Sequence, residues 1–192
     1  MNICIYGASS DNIDAAFKEK GFEMGEIIAQ SGSTLVFGAG NGGMMGAIAR
    51  GVTKGGGNII GISPAFFNVD GVLYENCTEM IYTDTMSERK TLLEEKADAF
   101  LVTPGGIGTF DEFFETITLR QLSVHKKPIA IYNINDYFKP LIDLLETAID
   151  KNFMSAENRK LYFISESPAE IMKYFSEYNP ETIPDIDFRN TK

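Results

Sequence analysis

Short apolar runs alternate along the chain with longer stretches in which apolar side chains recur every three or four residues. Several short runs are continuous, as in Leu35-Val36-Phe37 and Phe100-Leu101-Val102, which is typical of strands buried on both faces. The pattern predicts seven strands, at Asn2–Tyr6, Thr34–Phe37, Asn58–Ile62, Glu79–Tyr82, Ala99–Thr103, Pro128–Tyr132 and Tyr162–Ile164. It predicts six helices, near residues 12–31, 43–54, 87–97, 109–123, 136–151 and 168–177.

The regular alternation of strands with helices indicates βαβ units. We therefore expect an α/β fold, a Rossmann-like doubly wound parallel sheet of about seven strands flanked by helices. No linker, repeat or low-complexity run divides the 192 residues. Residues 1–178 are expected to form a single Rossmann-like domain, and residues 179–192 a C-terminal tail without periodicity. Such sheets bind ligands beyond the carboxyl ends of their strands, so the chemistry is expected in the strand-to-helix loops.

The charge balance limits the partners. The chain has 17 Lys+Arg against 27 Asp+Glu, a formal net charge of −10. Duplex DNA and anionic membranes require a dense basic face, so we expect neither nucleic acid nor a membrane as a partner. No apolar run reaches the length of a transmembrane helix, and the start of the chain lacks the basic region of a signal peptide. The expected compartment is the cytoplasm.

The residue types that usually bind metals are few and scattered. Cys4 and Cys77 do not form a metal-binding spacing, and Cys4 lies in an apolar run that indicates a buried thiol. His125, the only histidine, fits a surface or helix-end position between a helix and a strand. We therefore expect neither a metal site nor a histidine-based triad.

A glycine-rich loop, Gly38–Gly46, follows the second predicted strand. It contains G-x-G-x-x-G between a strand and a helix, which is the context of a dinucleotide site. That fingerprint also requires an acid about 20 residues further on. The next strand ends in Gly61-Ile62-Ser63-Pro64, so NAD is disfavoured, and a tight turn with close helix packing remains open. Met44 and Met45 are interpreted as core residues.

Side chains that cap helices mark the starts of two further elements. In the loop after the first strand, Ser10 or Asp11 can cap the helix that follows, and the small residues of this loop would equally allow a ligand to approach the backbone closely. Thr85 and Glu88 fit a capping box, which predicts that a helix begins there. Arg89 and Lys90 then lie in the first turn of that helix, where cations are unfavourable. Either an anion lies close to them, or they form a solvated basic pair.

The loop after the fifth strand, Thr103-Pro104-Gly105-Gly106-Ile107-Gly108-Thr109, has the most specific pattern. Three glycines in four residues expose backbone N–H groups, and a helix N-terminus adds positive potential. The loop therefore predicts a phosphate cradle. It lacks the Gly-Lys-Ser/Thr of a Walker A loop, so ATP hydrolysis is disfavoured.

Three acids, Asp111, Glu112 and Glu115, follow in the first turns of the same helix. They could simply compensate the helix dipole. However, phosphate repels carboxylates, so side chains beside a phosphate cradle more plausibly contact sugar hydroxyls or a water. This favours a sugar phosphate or nucleotide as ligand. The buried side of the helix is expected to carry Phe110, Phe113, Phe114 and Ile117.

In this order, the segments resemble the Lonely Guy family of nucleoside 5′-monophosphate phosphoribohydrolases. Pro104–Glu112 matches the family pattern P-G-G-x-G-T-x-x-E, and Glu88–Lys90 matches its E-R-K segment. The resemblance also includes G-x-G-x-x-G-x-M-G at Gly38–Gly46 and Q-L-x-x-H-x-K-P at Gln121–Pro128, and it extends from the first strand to about residue 174. One departure is Ala39, where family members usually carry glycine. Nothing in the sequence supports the lysine decarboxylase label often given to the family.

The resemblance implies a function and a set of site residues. The activity would be hydrolysis of the N-glycosidic bond of nucleoside 5′-monophosphates, AMP or N6-prenylated cytokinin nucleotides, to free base and ribose 5-phosphate. It would need no cofactor and would occur in a homodimer. The catalytic residues would be Arg89 and Glu112. Substrate would contact Ser9, Arg89, Lys90, Gly105, Gly106, Ile107, Gly108, Thr109, Phe110, Asp111 and Thr118. The alternative is a non-catalytic nucleotide-binding carrier or sensor on the same fold.

Overall fold

The structure is a computed structural model that describes residues 1–182. Its strands are β1 Asn2–Tyr6, β2 Thr34–Phe37, β3 Ile59–Pro64, β4 Glu79–Thr83, β5 Ala99–Val102, β6 Ile129–Tyr132 and β7 Phe163–Ser165. Its α-helices are α1 Ala15–Gln30, α2 Gly43–Lys54, α3 Met86–Lys96, α4 Ile107–Gln121, α5 Lys139–Asp150 and α6 Pro168–Glu177. Every predicted strand and helix is present, with ends displaced by a few residues.

The seven strands form one sheet in the order β4-β3-β2-β1-β5-β6-β7, and all neighbouring pairs are parallel. The central strand β1 pairs with β2 on one side and with β5 on the other, so that Ile5 lies between Phe37 and Leu101. Strand order reverses at β1, which confirms the doubly wound fold. The switch point where ligands bind such sheets therefore lies beyond the carboxyl ends of β1, β2 and β5.

Alternate side chains of β1 pack into two separate apolar layers. Ile3 and Ile5 pack with residues of α1, α2 and α6, whereas Cys4 and Tyr6 pack with residues of α3, α4 and α5. Burial on both faces explains why the strands have continuous apolar runs. Cys4 is fully buried, as expected, and burial raises the pKa of its thiol far above the usual range.

The start of α1 differs from its prediction. Its N-cap is Asp14, whose carboxylate accepts from the N–H of Ala16, so neither Ser10 nor Asp11 caps this helix. Asp11 instead accepts, through Oδ1, from the N–H of Gly43 at 2.9 Å, the first residue of α2. It therefore connects the loop after β1 to the glycine-rich loop after β2. At α3 Thr85 is the N-cap as predicted, since its Oγ1 accepts from the N–H of Glu88 at 3.1 Å, whereas the Glu88 carboxylate accepts from the N–H of Asp84 at 3.0 Å and not from that of Thr85.

Three other expectations concern residues away from these loops. Phe114 was expected on the buried side of α4 but is 40% exposed, whereas Phe113 and Ile117 are buried. His125 lies beyond the end of α4, where burial lowers its pKa to about 4 and Nε2 lies 3.1 Å from the carbonyl of Thr116. It is therefore a neutral helix-end residue. Of the predicted tail, residues 180–182 form a short 3-10 turn, and residues 183–192 lie outside the described part of the chain.

Within residues 1–182, none of the helices has both the length and the apolar character needed to cross a lipid bilayer.

Candidate functional site

A cleft of about 710 Å³ opens at the carboxyl ends of the central strands. Its walls come from the loops after β1, β2 and β5, from the segment between β3 and β4, and from the start of α3. This is the topological switch point at which the fold predicts a ligand. Of the predicted site residues, the cleft brings together Ser9, Arg89, Gly106, Ile107, Gly108, Thr109 and Glu112.

The glycine loop after β5 leads directly into α4. Gly106 is the N-cap and receives no side-chain cap, so the first N–H groups of the helix lack side-chain partners at this end. A methyl group at Gly106 or Gly108 would meet nothing within 4 Å, so the loop is open to the cleft at both positions. Exposed N–H groups at a helix N-terminus attract anions. The geometry therefore fits the predicted phosphate cradle.

Gly105 has a different part in the same loop. A methyl group there would lie 2.1 Å from Thr109 Oγ1 and 2.9 Å from the backbone nitrogen of Ala8. Its carbonyl accepts from the hydroxyl of Tyr137 at 2.6 Å. Gly105 therefore allows the loop to pack against its neighbours and does not line the cleft.

An ion pair between Arg89 and Glu112 forms part of the cleft wall. Arg89 Nη1 lies 3.0 Å from Glu112 Oε1, and the two side chains are only 11% and 10% exposed. Burial raises the pKa of Glu112 to about 7, although the Arg89 guanidinium opposes this rise. A buried ion pair is weak as a source of stability, because removing its charges from water is costly. The pair is better suited to chemistry, since it holds a carboxylate poised to exchange a proton near neutral pH.

Lys90 points away from this pair and bridges α3 to α4. Its Nζ lies 2.6 Å from Glu115 Oε2 and 3.2 Å from Asp111 Oδ2. The hydrogen bond to Glu115 raises the pKa of Lys90. Arg89 and Lys90, the two cations at the start of α3, are thus both paired with carboxylates of α4. Lys90 holds the two helices together where Arg89 meets Glu112.

The structure leaves five predicted contact residues outside the lining of the cleft. Besides Gly105 and Lys90, these are Phe110, Asp111 and Thr118. Phe110 packs against the core, Asp111 pairs with Lys90, and the Thr118 hydroxyl donates to the carbonyl of Phe114 at 2.6 Å. Their contacts with substrate remain predictions.

The cleft also has an apolar wall, which no pattern in the sequence predicts. Part of it comes from the segment between β3 and β4, which is held by pairing between Gly40 and Leu73 and by a 3.0 Å hydrogen bond from the N–H of Asn41 to the carbonyl of Val72. Met44 is fully buried, as interpreted, but Met45 lines the cleft. We call the following residues the apolar wall: Met45, Phe67, Val72, Leu73 and Met86.

Ser63 occupies the end of β3, where a dinucleotide site would carry an acid. It is fully buried and lines the cleft, and its hydroxyl lies 3.4 Å from the carbonyl of Pro64. A serine cannot supply the carboxylate that holds a ribose diol in NAD sites. Among the residues described, no group of three or more His, Cys, Asp or Glu side chains is arranged to hold a metal ion.

Comparison with known sequences gives a consistent set of relatives. The profile of a family described as "Possible lysine decarboxylase" matches residues 45–175. The cytokinin riboside 5′-monophosphate phosphoribohydrolase LOG of Oryza sativa subsp. japonica is 32% identical over 179 residues, which cover 93% of this chain and 74% of that protein. The Arabidopsis thaliana enzyme of the same name, LOG1, is 31% identical over 178 residues, which cover 93% of this chain and 84% of the relative.

Solved structures with the same fold include proteins of another name. The molybdenum cofactor binding protein from Rippkaea orientalis superposes with a TM-score of 0.69 at 21% identity, covering 91% of this chain and 94% of that one. The molybdenum cofactor carrier protein from Chlamydomonas reinhardtii gives a TM-score of 0.69 at 19% identity, covering 92% and 96%. At such identities the likeness concerns the fold alone.

Proposed function

The chain belongs to the Lonely Guy family, and we propose that it hydrolyses the N-glycosidic bond of nucleoside 5′-monophosphates to free base and ribose 5-phosphate. It is an enzyme of the nucleotide N-glycosidase class, as the names of its relatives at about 30% identity indicate. The proposed substrates are AMP and N6-prenylated cytokinin nucleotides. The observation that carries the proposal is the buried Arg89–Glu112 pair beside the open N-terminus of α4.

The spacing along α4 supports this arrangement. The 5′-phosphate binds the N–H groups from Gly106 to Thr109, and the Thr109 hydroxyl is a further donor. Glu112 follows Thr109 by three residues and Gly106 by six, which is about 4.5 to 9 Å along a helix axis. This leaves room for a ribose between the phosphate and the carboxylate. Glu112 then accepts a proton from the water that attacks the anomeric carbon, or stabilises the positive charge that develops on the ribose. The electron pair of the broken C–N bond leaves with the base, which takes up one proton in turn.

The remaining surfaces of the cleft suit the base. A planar heterocycle buries its faces well against apolar side chains, and the apolar wall provides them. A prenyl substituent on the base would extend that apolar contact. Ser9, a polar residue of the cleft lining, is available to hydrogen-bond the sugar or the base edge.

The carrier alternative uses only part of this site. A carrier requires the cradle, whereas a nearly buried carboxylate with a pKa near 7 adds nothing to holding an anionic ligand. To separate the two functions, the protein is incubated with a panel of nucleoside monophosphates, and free base and ribose 5-phosphate are measured. The hydrolase releases both products from at least one nucleotide. Saturable nucleotide binding by calorimetry without release of base would instead identify a carrier.

Arg89→Ala is expected to lower kcat/KM by about 10- to 150-fold, since loss of a hydrogen bond to a charged group typically costs about 1.5–3 kcal/mol. Steady-state kinetics on the best nucleotide of the panel measure the change. Arg89→Lys should restore activity only in part, because an ammonium lacks the fork of the guanidinium. Unchanged kinetics in a folded Arg89→Ala protein would remove Arg89 from the mechanism.

The pH profile of kcat/KM is expected to rise with pH and level off above a midpoint near 7. Below that pH Glu112 is protonated and cannot accept a proton, because burial raises its pKa to about 7. Arg89 and Lys90 lower this pKa and Asp111 raises it. The substrate phosphate titrates lower, near pH 6. Arg89→Ala should therefore move the midpoint that belongs to Glu112 to higher pH and leave that of the substrate phosphate unchanged. A profile in which kcat/KM falls as pH rises through 7 would instead show that Glu112 acts as a general acid.

We also propose that the enzyme is a homodimer, and exposed apolar residues on one face of α4 support this. Ile107 and Phe114 are seven residues apart, and Leu122 follows after eight more, so all three lie on the same side of the helix. Val124 is exposed just beyond. Exposed apolar side chains in a row are typical of an interface. Light scattering coupled to gel filtration should give twice the mass of one chain, and the mass of a monomer would reject the dimer.

A further inference from the structure

The Arg89 guanidinium lies against the bare α-carbon of Gly38, at the end of β2. A methyl group at Gly38 would stand 1.9 Å from Arg89 Nη2, 2.9 Å from Cζ and 3.2 Å from Nε. Non-bonded heavy atoms need about 3.5–4.0 Å. The guanidinium therefore occupies the space in which any side chain at this position would begin.

We propose that Gly38 is a positioning residue for the hydrolysis. Because Gly38 has no side chain, the Arg89 guanidinium can occupy the space beside its α-carbon, and in that position it contacts Glu112. The proposal rests on the proposed function for its effect on activity, and on the contact geometry alone for its effect on Arg89. Gly38 touches no reacting atom. It acts through Arg89.

Space, and not backbone conformation, is what requires glycine here. The left-handed backbone that favours glycine occurs nearby at Gly43, with φ of +59°, but Gly38 has no positive φ. Any residue could therefore adopt the backbone of Gly38. The obstacle is the guanidinium, and it is the far end of a flexible side chain. Gly38→Ala is thus expected to fold normally while displacing the guanidinium.

Arg89 has little freedom to keep its present contacts if it is displaced. Its side chain is 11% exposed, and within residues 1–182 Glu112 is its one ion-pair partner. On the far side it faces Gly38, and Lys90 fixes the helix that carries it by binding Asp111 and Glu115. A shift of the guanidinium by more than an ångström therefore separates it from the carboxylate.

A double-mutant cycle tests the proposal. Gly38→Ala is expected to lower kcat/KM by about tenfold or more, and to lower it less than about twofold further when Arg89 is already alanine. The proposal would be overturned if Gly38→Ala lowered kcat/KM by the same factor in wild type and in Arg89→Ala, or if Gly38→Ala kept wild-type activity. The control is Gly21→Ala in α1, where the new methyl would lie 3.1 Å from the flexible end of Met44 and in ordinary contact with Ala47 and Ile48, at 3.4 and 3.5 Å. It should retain wild-type activity and melting temperature.

A second readout does not depend on turnover. Glu112 is titrated by carboxyl NMR in wild type, Gly38→Ala and Arg89→Ala, because the nearby guanidinium lowers its pKa. Both variants should raise this pKa, and Gly38→Ala should have no further effect in the Arg89→Ala background. An unchanged pKa in Gly38→Ala would overturn the positioning role. If the protein hydrolysed no nucleotide but Gly38→Ala raised the pKa of Glu112, the proposed function would be rejected and the positioning of Arg89 by Gly38 would be retained.

Discussion

Glu112→Gln is expected to lower kcat by about 10²–10⁴, the range for loss of a positioned acid–base group. Glutamine preserves the size of the side chain but cannot accept a proton or carry a negative charge. The phosphate cradle and the apolar wall remain, so nucleotide affinity should stay within a few-fold of wild type. Turnover is measured by release of free base, and affinity by calorimetry under conditions too brief for hydrolysis by the variant.

The matched control is Glu115→Gln, one turn further along α4. Glu115 does not line the cleft, and Asp111 still connects Lys90 to α4 when Glu115 is replaced, so this variant should retain most of the activity. Stability supplies a second check. Burial raises the pKa of Glu112 from 4.5 to about 7 on folding, so between these pH values the native state holds a proton that the unfolded state has released. The contribution of this proton to the free energy of unfolding of the wild type is lost as pH rises from 4.5 to 7. Glu112→Gln should gain stability relative to wild type from pH 4.5 to 7. Wild-type turnover in Glu112→Gln would exclude Glu112 from the chemistry.

Nucleosides without the 5′-phosphate are expected to be hydrolysed with kcat/KM lower by about 10²–10⁴ than their monophosphates. The cradle offers several N–H groups to the phosphate, and each hydrogen bond to a charged group contributes about 1.5–3 kcal/mol, so two such bonds account for this range. Part of the loss should appear in kcat, because binding energy at a remote group also orients the reacting bond.

The comparison uses adenosine and AMP, assayed for free adenine over the same range of concentrations. Added ribose 5-phosphate should compete with AMP, since it fills the cradle and the ribose site together. Equal rates on adenosine and AMP would show that the N-terminus of α4 does not hold the phosphate.

The sequence predicted the elements well because each one has a local signal. The continuous run Leu35-Val36-Phe37 marked a strand covered on both faces, and Thr85 with Glu88 marked the start of α3. Asp11 was assigned to the wrong helix, because a carboxylate in a loop can reach any nearby N–H group. Its partner, Gly43, lies 32 residues away, and only the packed loops reveal it.

Part of the site could also be predicted from the sequence, because that part has a local signal. The cradle is a contiguous motif. For the cations at the start of α3 the sequence left two interpretations, a nearby anion or a solvated pair, and the structure agrees with the first. Which anion each one meets depends on how α3 and α4 pack: Arg89 turns to Glu112, and Lys90 to Asp111 and Glu115. The apolar wall has no periodic signal, because it belongs partly to an irregular segment whose shape depends on pairing with the loop after β2.

The separate origin of the apolar wall has a consequence for how such an enzyme changes during evolution. Phe67, Val72 and Leu73 come from one connection between β3 and β4, whereas Glu112 and the cradle come from α4 and the loop before it. Insertions and substitutions in that connection can reshape the surface proposed to bind the base without moving the groups proposed to cleave the bond. Preference for one base over another can therefore drift among descendants, while the hydrolytic machinery is inherited intact.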